Sequence, residues 1–196
     1  PRVGLIDRCL VAAYDAGVEP LLILTKSDLA DPAPLLASYR ALDVPAISIQ
    51  RGGDLAPLTE LLHNHISVFV GHSGVGKSTL VNALIPSAHR ATGHVNSVTG
   101  RGRHTSTSVQ AIWLPGGGWI VDTPGVRSFG LAHVDRDRVV GAFADLADGT
   151  DACPRSCTHD EVECGLDAWV ADGHTTEARL DSLRRIIRAI DGDSSS

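Results

Sequence analysis

Gly71-His72-Ser73-Gly74-Val75-Gly76-Lys77-Ser78 is the stretch that decides the fold. It fits the pattern Gly-x-x-x-x-Gly-Lys-Ser. The apolar run Ile66–Val70 leads straight into it, and a helical pattern over 77–84 follows. A Gly-rich turn between a strand and a helix aims successive backbone N–H groups at phosphate oxygens, and the helix N-terminus adds partial positive charge. The pattern gives Lys77 the β- and γ-phosphates and the Ser78 hydroxyl a Mg²⁺ ion, with Thr79 beside it on the first helical turn. This loop binds nucleotide phosphates but does not choose the base.

The choice falls to Thr25-Lys26-Ser27-Asp28, a variant of the Asn/Thr-Lys-x-Asp element, which follows the apolar strand Leu21–Leu24. A carboxylate at Asp28 accepts from the ring N–H and the exocyclic amine of guanine. Adenine offers no such pair, and an unpaired buried carboxylate rejects it. The Lys26 stem packs along the base plane. Ser48, at the end of a second strand over 44–49, lies where a backbone contact to the base is placed. Lys26 and Lys77 are the chain's two lysines, against fifteen arginines. Lysine is thus kept where a compact ammonium is needed and a planar guanidinium is not. Asp122-Thr123-Pro124-Gly125 completes the set as an Asp-x-x-Gly element, with Asp122 toward Mg²⁺ and the Gly125 N–H toward the γ-phosphate. The order is unusual, because the base-reading element precedes the phosphate loop.

After Gly125 comes Val126, which cannot orient water. His104, in Arg101-Gly102-Arg103-His104-Thr105-Ser106-Thr107, is the candidate replacement. Thr105 is the candidate second Mg²⁺ ligand, with Ser106 and Thr107 as alternatives. Residues 61–121 contain no Asp or Glu but hold Lys77, Arg90, Arg101, Arg103 and six of the nine histidines, the composition expected beside a polyanion. Within it, the polar run 86–108 reads as a mobile loop.

The remaining pattern alternates. A helix is predicted over 3–16 with Leu5, Ile6, Cys9, Leu10 and Ala13 on its apolar face and Gly17 as its stop. Cys9 reads as an inert core residue. Further helices are predicted near 33–42, 55–63 and 135–147, and a hairpin around Pro115–Gly118. Such alternation predicts an α/β architecture with a mostly parallel sheet. Near residue 149 the composition shifts. Cys153, Cys157, His159 and Cys164 fall within twelve residues, and three thiolates with an imidazole suit a closed, structural tetrahedral Zn²⁺ site. Leu180, Leu183, Ile186, Ile187 and Ile190 form an apolar stripe on a last helix, ringed by Arg184, Arg185 and Arg188. From 150 to 196 ten acids face five arginines, so packing is the expected role of this helix, with RNA contact as the alternative. A disordered tail is expected over Asp191–Ser196.

At 196 residues and a net charge of −6, the chain has room for one domain and a small appendage, and is not a general nucleic-acid sponge. No apolar run approaches the roughly 20 residues that cross a bilayer. Four cysteines are too few for a disulfide framework, so reduced thiols and a cytoplasmic location are expected. The chain opens on Pro1, which leads us to expect a preceding domain.

This combination of motifs, in this order, resembles the RsgA family of ribosome small-subunit-dependent GTPases over residues 1 to about 190. The resemblance implies a circularly permuted P-loop GTPase domain over 1–148, with helices on both faces of its sheet. It implies a small, mainly helical zinc-binding domain over 149–196, and an OB-fold domain upstream. It further implies GTP hydrolysis stimulated by the small (30S) ribosomal subunit and its rRNA during late maturation of that subunit. The nucleotide roles fall on Thr25 to Asp28, Gly71 to Thr79, Thr105 and Asp122 to Gly125, and the zinc roles on Cys153, Cys157, His159 and Cys164. A monomer is expected. Thr25 stands where Asn is usual, which predicts a looser brace around the base site. The rival readings are a permuted GTPase for another RNA or ribosomal target, and a nucleotide-regulated binding module with little catalysis.

Overall fold

The computed structural model describes residues 2–86, 110–122, 131, 134–161 and 163–193. By their contacts these fall into two units, one within Pro1–Leu22, Asp31–Ala46 and Ser128–Ser196, the other within Ile23–Ala30 and Ile47–Arg127. The compositional shift at residue 149 lies inside the first unit.

The first unit is helical: α1 (Val3–Asp15), α2 (Ala33–Tyr39), α5 (Arg136–Gly141), α6 (Ala144–Ala147), α7 (Gly165–Ala171) and α8 (Glu177–Asp193), with 3-10 turns at Arg40–Leu42 and Asp148–Ala152. Gly17, at φ +63°, ends α1. The Val18 N–H reaches the Ala13 oxygen at 2.8 Å and the Gly17 N–H the Tyr14 oxygen at 3.0 Å, the Schellman arrangement that glycine permits. The buried side of α1 is rotated from the periodic expectation, to Asp7, Leu10 and Val11. Cys9 lies beside them, half-buried, and burial pushes its thiol up to about 11. Asp7 is tolerated because it is paired. The Tyr39 hydroxyl donates to it at 2.8 Å and Arg185 Nε lies 3.5 Å away, as a buried charge requires. Burial still raises the Asp7 carboxyl above its ordinary range.

The helix expected over 135–147 breaks at Phe143. This residue leaves helical geometry and buries its ring edge-on to Tyr14 at 5.4 Å, under the Arg179 guanidinium at 4.6 Å. The apolar stripe of α8 is buried in one cluster with Leu10, Val11, Tyr39 and Val139, so packing is its role. Of the tail expected over Asp191–Ser196, residues 191–193 are helical in α8 and the rest lies outside the described residues.

The second unit carries β3 (Ile66–Phe69), α4 (Lys77–Leu84), β4 (Gln110–Trp113) and β5 (Trp119–Asp122), with α3 (Ala56–Leu62). β3 and β5 are parallel, Ile66 opposite Trp119 and Phe69 opposite Asp122. β4 and β5 form the expected hairpin, antiparallel with Trp113 opposite Trp119. Alternation puts Ile112 and the fully buried Ile120 on one face. Ile66, Val68, Trp113 and Trp119 stand exposed on the other, the two indoles edge-to-face at 5.1 Å. β1 (Leu22–Thr25) and β2 (Ala46–Ile49) form a separate pair. Among the described residues the strands thus make two small sheets rather than one. No helix among them is long and apolar enough to cross a membrane.

Gly149 packs so closely that a Cβ there would lie 2.5 Å from Trp169 Cγ, whereas a Cβ on Gly141 would meet nothing within 4 Å. The indole cannot retreat freely, since its Nε1–H donates to the Asp145 oxygen at 2.9 Å. We therefore predict that Gly149→Ala costs about 1–3 kcal/mol in denaturant unfolding, the range for overpacking. Gly141→Ala should leave stability unchanged or slightly higher.

Candidate functional site

β3 delivers the chain into the phosphate loop, and glycines let it turn. Gly74 and Gly76 take φ +81° and +106°, values that other residues rarely adopt. Gly76 is also the residue before the first turn of α4, and a Cβ on it would lie 3.6 Å from Thr25 Oγ1. Lys77, half-buried, donates from Nζ to the Gly71 oxygen and, at 3.5 Å, to the His72 oxygen. His72 Nδ1 lies 2.8 Å from the Ser73 oxygen. Ser78 and Thr79 are exposed on the first turn of α4. This hydroxyl position, directly after the loop lysine, is the kind of oxygen donor a Mg²⁺ ion takes alongside nucleotide phosphates.

The base-reading turn meets this loop. Thr25 Oγ1 donates to the Val75 oxygen. Lys26, in the left-handed region at φ +60°, donates from Nζ to the Gly74 oxygen at 2.8 Å. The Ser27 N–H reaches the Ile49 oxygen at 3.3 Å, which ties the end of β2, next to Ser48, to the same turn. Asp28 is exposed and available to a ligand. The threonine at position 25, where a looser brace is expected, does reach the loop through its hydroxyl. Asp122 closes β5 opposite Phe69, so the strands that lead into the two phosphate-facing elements are neighbours. His104, Thr105 and Gly125 lie outside the described residues.

The first unit holds the second cluster. The ligand atoms of Cys153, Cys157, His159 and Cys164 all lie within 4.8 Å of one another. Cys153 Sγ is 3.6 Å from His159 Nδ1 and 3.9 Å from Cys164 Sγ, which is 3.8 Å from His159 Nδ1. A tetrahedron around a metal with bonds of about 2.3 Å has edges of about 3.8 Å, so three of the four ligands already stand at coordinating separation. Cys157 Sγ instead donates to Glu161 Oε2 at 3.2 Å. Burial holds the His159 ring below the usual histidine range, which favours the neutral form that binds metals. Ser156 and His159 take φ +63° and +65°, so the chain bends sharply twice to converge the ligands. A Cβ on Gly165 would lie 2.6 Å from the Ala152 carbonyl carbon, which explains a glycine directly after Cys164.

The sequence reading missed the residues around this cluster. Arg184 binds the His159 oxygen and Asp167, and Arg188 binds Asp160. Arg184 and Arg188 stand out in the sequence beside the apolar stripe of α8, but nothing local ties them to the cysteines. Their i, i+4 spacing was the available signal.

Comparison with known proteins identifies the family of the chain. The family model described as RsgA GTPase matches residues 1–132. A protein of Pseudomonas aeruginosa (strain LESB58) named small ribosomal subunit biogenesis GTPase RsgA is 44% identical over 200 residues, covering 97% of this chain and 59% of that one. The protein of the same name from Pseudomonas syringae pv. tomato is 44% identical over 204 residues, covering 99% and 60%. The chain thus spans about three fifths of the length of these curated relatives. Among solved structures, YjeQ from Thermotoga maritima superposes with a TM-score of 0.69 at 29% identity, over 98% of this chain and 67% of that one. With more than half of its length matched by the family model, the chain belongs to the RsgA GTPase family.

Proposed function

We propose that this chain binds and hydrolyses GTP as part of a factor that acts in late maturation of the small ribosomal subunit, with that subunit and its rRNA as partner and stimulator. The observation that carries the reading is the pair of bonds from Thr25 and Lys26 to the phosphate loop, which joins a guanine-type motif to a phosphate-binding loop. The names of the relatives supply the ribosomal subunit. The motif order makes the fold a circularly permuted GTPase. We assign 1–148 to it and 149–196 to a zinc-binding domain. A cytoplasmic monomer fits this role.

In this reading Asp28 accepts from the guanine edge, with Lys26 along its plane and the backbone at Ser48 beside it. The N–H groups of residues 71–79 and the Lys77 ammonium hold the phosphates. Ser78, Thr105 and, through water, Asp122 hold Mg²⁺, which when bound neutralises charge on the β- and γ-phosphates. The Gly125 N–H faces the γ-phosphate and His104 positions the attacking water. The Cys153, Cys157, His159 and Cys164 set holds zinc, chosen by its thiolate-rich donors. Since all four positions are protein ligands, this zinc is structural.

Three measurements test this reading. Asp28→Asn should weaken GTP binding in calorimetry and favour xanthosine triphosphate, because the amide donates to the xanthine oxo group. An unchanged GTP preference removes Asp28 from the base site.

Elemental analysis should find one zinc per chain. Cys157→Ser should unfold the C-terminal part, and chelation should lower Tm without abolishing GTP binding. Metal-free protein with full thermal stability would overturn the zinc assignment.

His104→Ala should leave GTP affinity nearly intact and remove most subunit-stimulated hydrolysis, by about 10²-fold or more for a lost catalytic group. Val126→Ala should cost far less. Phosphate release with and without small subunits reads both. Sedimentation with purified small and large subunits separates this partner from another RNA target.

A further inference from the structure

The last helix grips the metal knuckle through two arginines. Arg184 Nε donates to the His159 main-chain oxygen at 2.9 Å, and its terminal nitrogens donate to the two oxygens of Asp167 at 3.0 and 2.8 Å. Its positive charge also acts on the Cys164 thiol. One side chain therefore binds one ligand residue directly, and a carboxylate from α7, the helix that Cys164 opens, holds it in place. One turn later Arg188 binds Asp160 at 2.8 and 2.6 Å and touches no ligand residue. The two arginines differ in setting, with side chains 16% and 62% exposed.

Geometry and charge point the same way. His159 sits at φ +65°, a backbone state that costs energy in a non-glycine residue and persists only where its surroundings enforce it. The Arg184 bond to its carbonyl is such an enforcement, and it fixes the direction from which the ring reaches the cluster. Three thiolates around a divalent ion carry a net negative charge. A guanidinium with little solvent around it offsets that charge far better than an exposed one.

We propose that Arg184, braced by Asp167, is the outer-shell residue of this metal site, so that metal binding and the docking of α8 on the knuckle form one equilibrium. The inference rests on the zinc reading above. Arg184 is a positioning residue, acting through His159 and Cys164. Outer-shell partners of metal ligands commonly set affinity by about 10–100-fold. Because α8 also supplies Leu183, Ile186 and Ile187 to the core of its unit, zinc stabilises that whole core rather than the knuckle alone.

The test compares wild type with Arg184→Met, Arg184→Lys and Arg188→Met. Three readouts serve: zinc affinity by competition with a chromogenic chelator, the absorption spectrum of the Co²⁺-substituted protein, and Tm with and without zinc. Arg184→Met should weaken zinc by about 10–100-fold, shrink the zinc-induced rise in Tm, and shift the thiolate-to-cobalt charge-transfer band. A purely structural role would leave that band in place. Arg184→Lys should recover part of the loss, since it keeps the charge but not the planar fork. Arg188→Met should stay close to wild type. A folded Arg184→Met protein with wild-type zinc affinity and an unchanged cobalt spectrum overturns the proposal. If Arg184→Met does not fold, Asp167→Asn is read in the same assays. Weaker zinc binding with a shifted band there supports the proposal, and wild-type behaviour overturns it. A wild type that binds neither Zn²⁺ nor Co²⁺ instead overturns the zinc reading, and this inference with it.

Discussion

The hydrogen bonds from Thr25 and Lys26 to the carbonyls of Val75 and Gly74 are the constraint on which the nucleotide site depends. A loop that turns its N–H groups toward phosphate must turn carbonyls elsewhere, and those carbonyls need donors. Thr25 and Lys26 supply two of them from a turn about fifty residues earlier, and Lys77 supplies a third from within. The Thr25–Asp28 turn and the Gly-rich loop are thereby fixed against each other. Such bonds do not depend on which partner comes first along the chain, so the reversed motif order leaves the site intact. They also give a reason for the two lysines. An ammonium on a flexible stem can seek a single carbonyl within a crowded loop, where a guanidinium fork would need two acceptors in one plane.

The first unit solves a different problem, that of carrying charge inside a small helical core. Four arginines of α8 each reach a different acid: Arg179 to Asp145, Arg184 to Asp167, Arg185 to Asp7 and Arg188 to Asp160. Arg179 and Arg185 also donate to the main chain at Ala41 and Ser38. The positive charges of these four side chains are thus each paired with an acid of the same unit.

Much of this was legible in the residues. The Gly-rich phosphate loop, the hairpin around Pro115–Gly118, the stop at Gly17 and the convergence of three cysteines with His159 follow from local spacing, because each needs only its own neighbours. What escaped depends on partners far along the chain. Asp7 could not be read as buried without Tyr39 and Arg185, and the break at Phe143 comes from a pocket made by Tyr14 and Arg179. The bond from Thr25 to the loop is hidden for the same reason. Its worth is set by the distance to Val75, and residue type alone does not reveal that distance. His104, Thr105 and Gly125 remain readings of the sequence.

The metal knuckle shows why these long-range partners matter. Residues 153–164 bend twice through left-handed positions and pack backbone on backbone at Gly165. Leu166 and Cys164 are buried there, too little apolar surface to fold so short a segment by itself. Two kinds of staple compensate. The ligand cluster converges the loop on one point, and the arginine row of α8 fastens it from outside. If zinc binds as proposed, ligands without Arg184 would face an uncompensated thiolate charge, and Arg184 without the ligands would hold a strained carbonyl with nothing to gain from the strain. In the proposed zinc-bound form the two make one device, in which the helix supplies the charge and the direction while the ligand set supplies the closure.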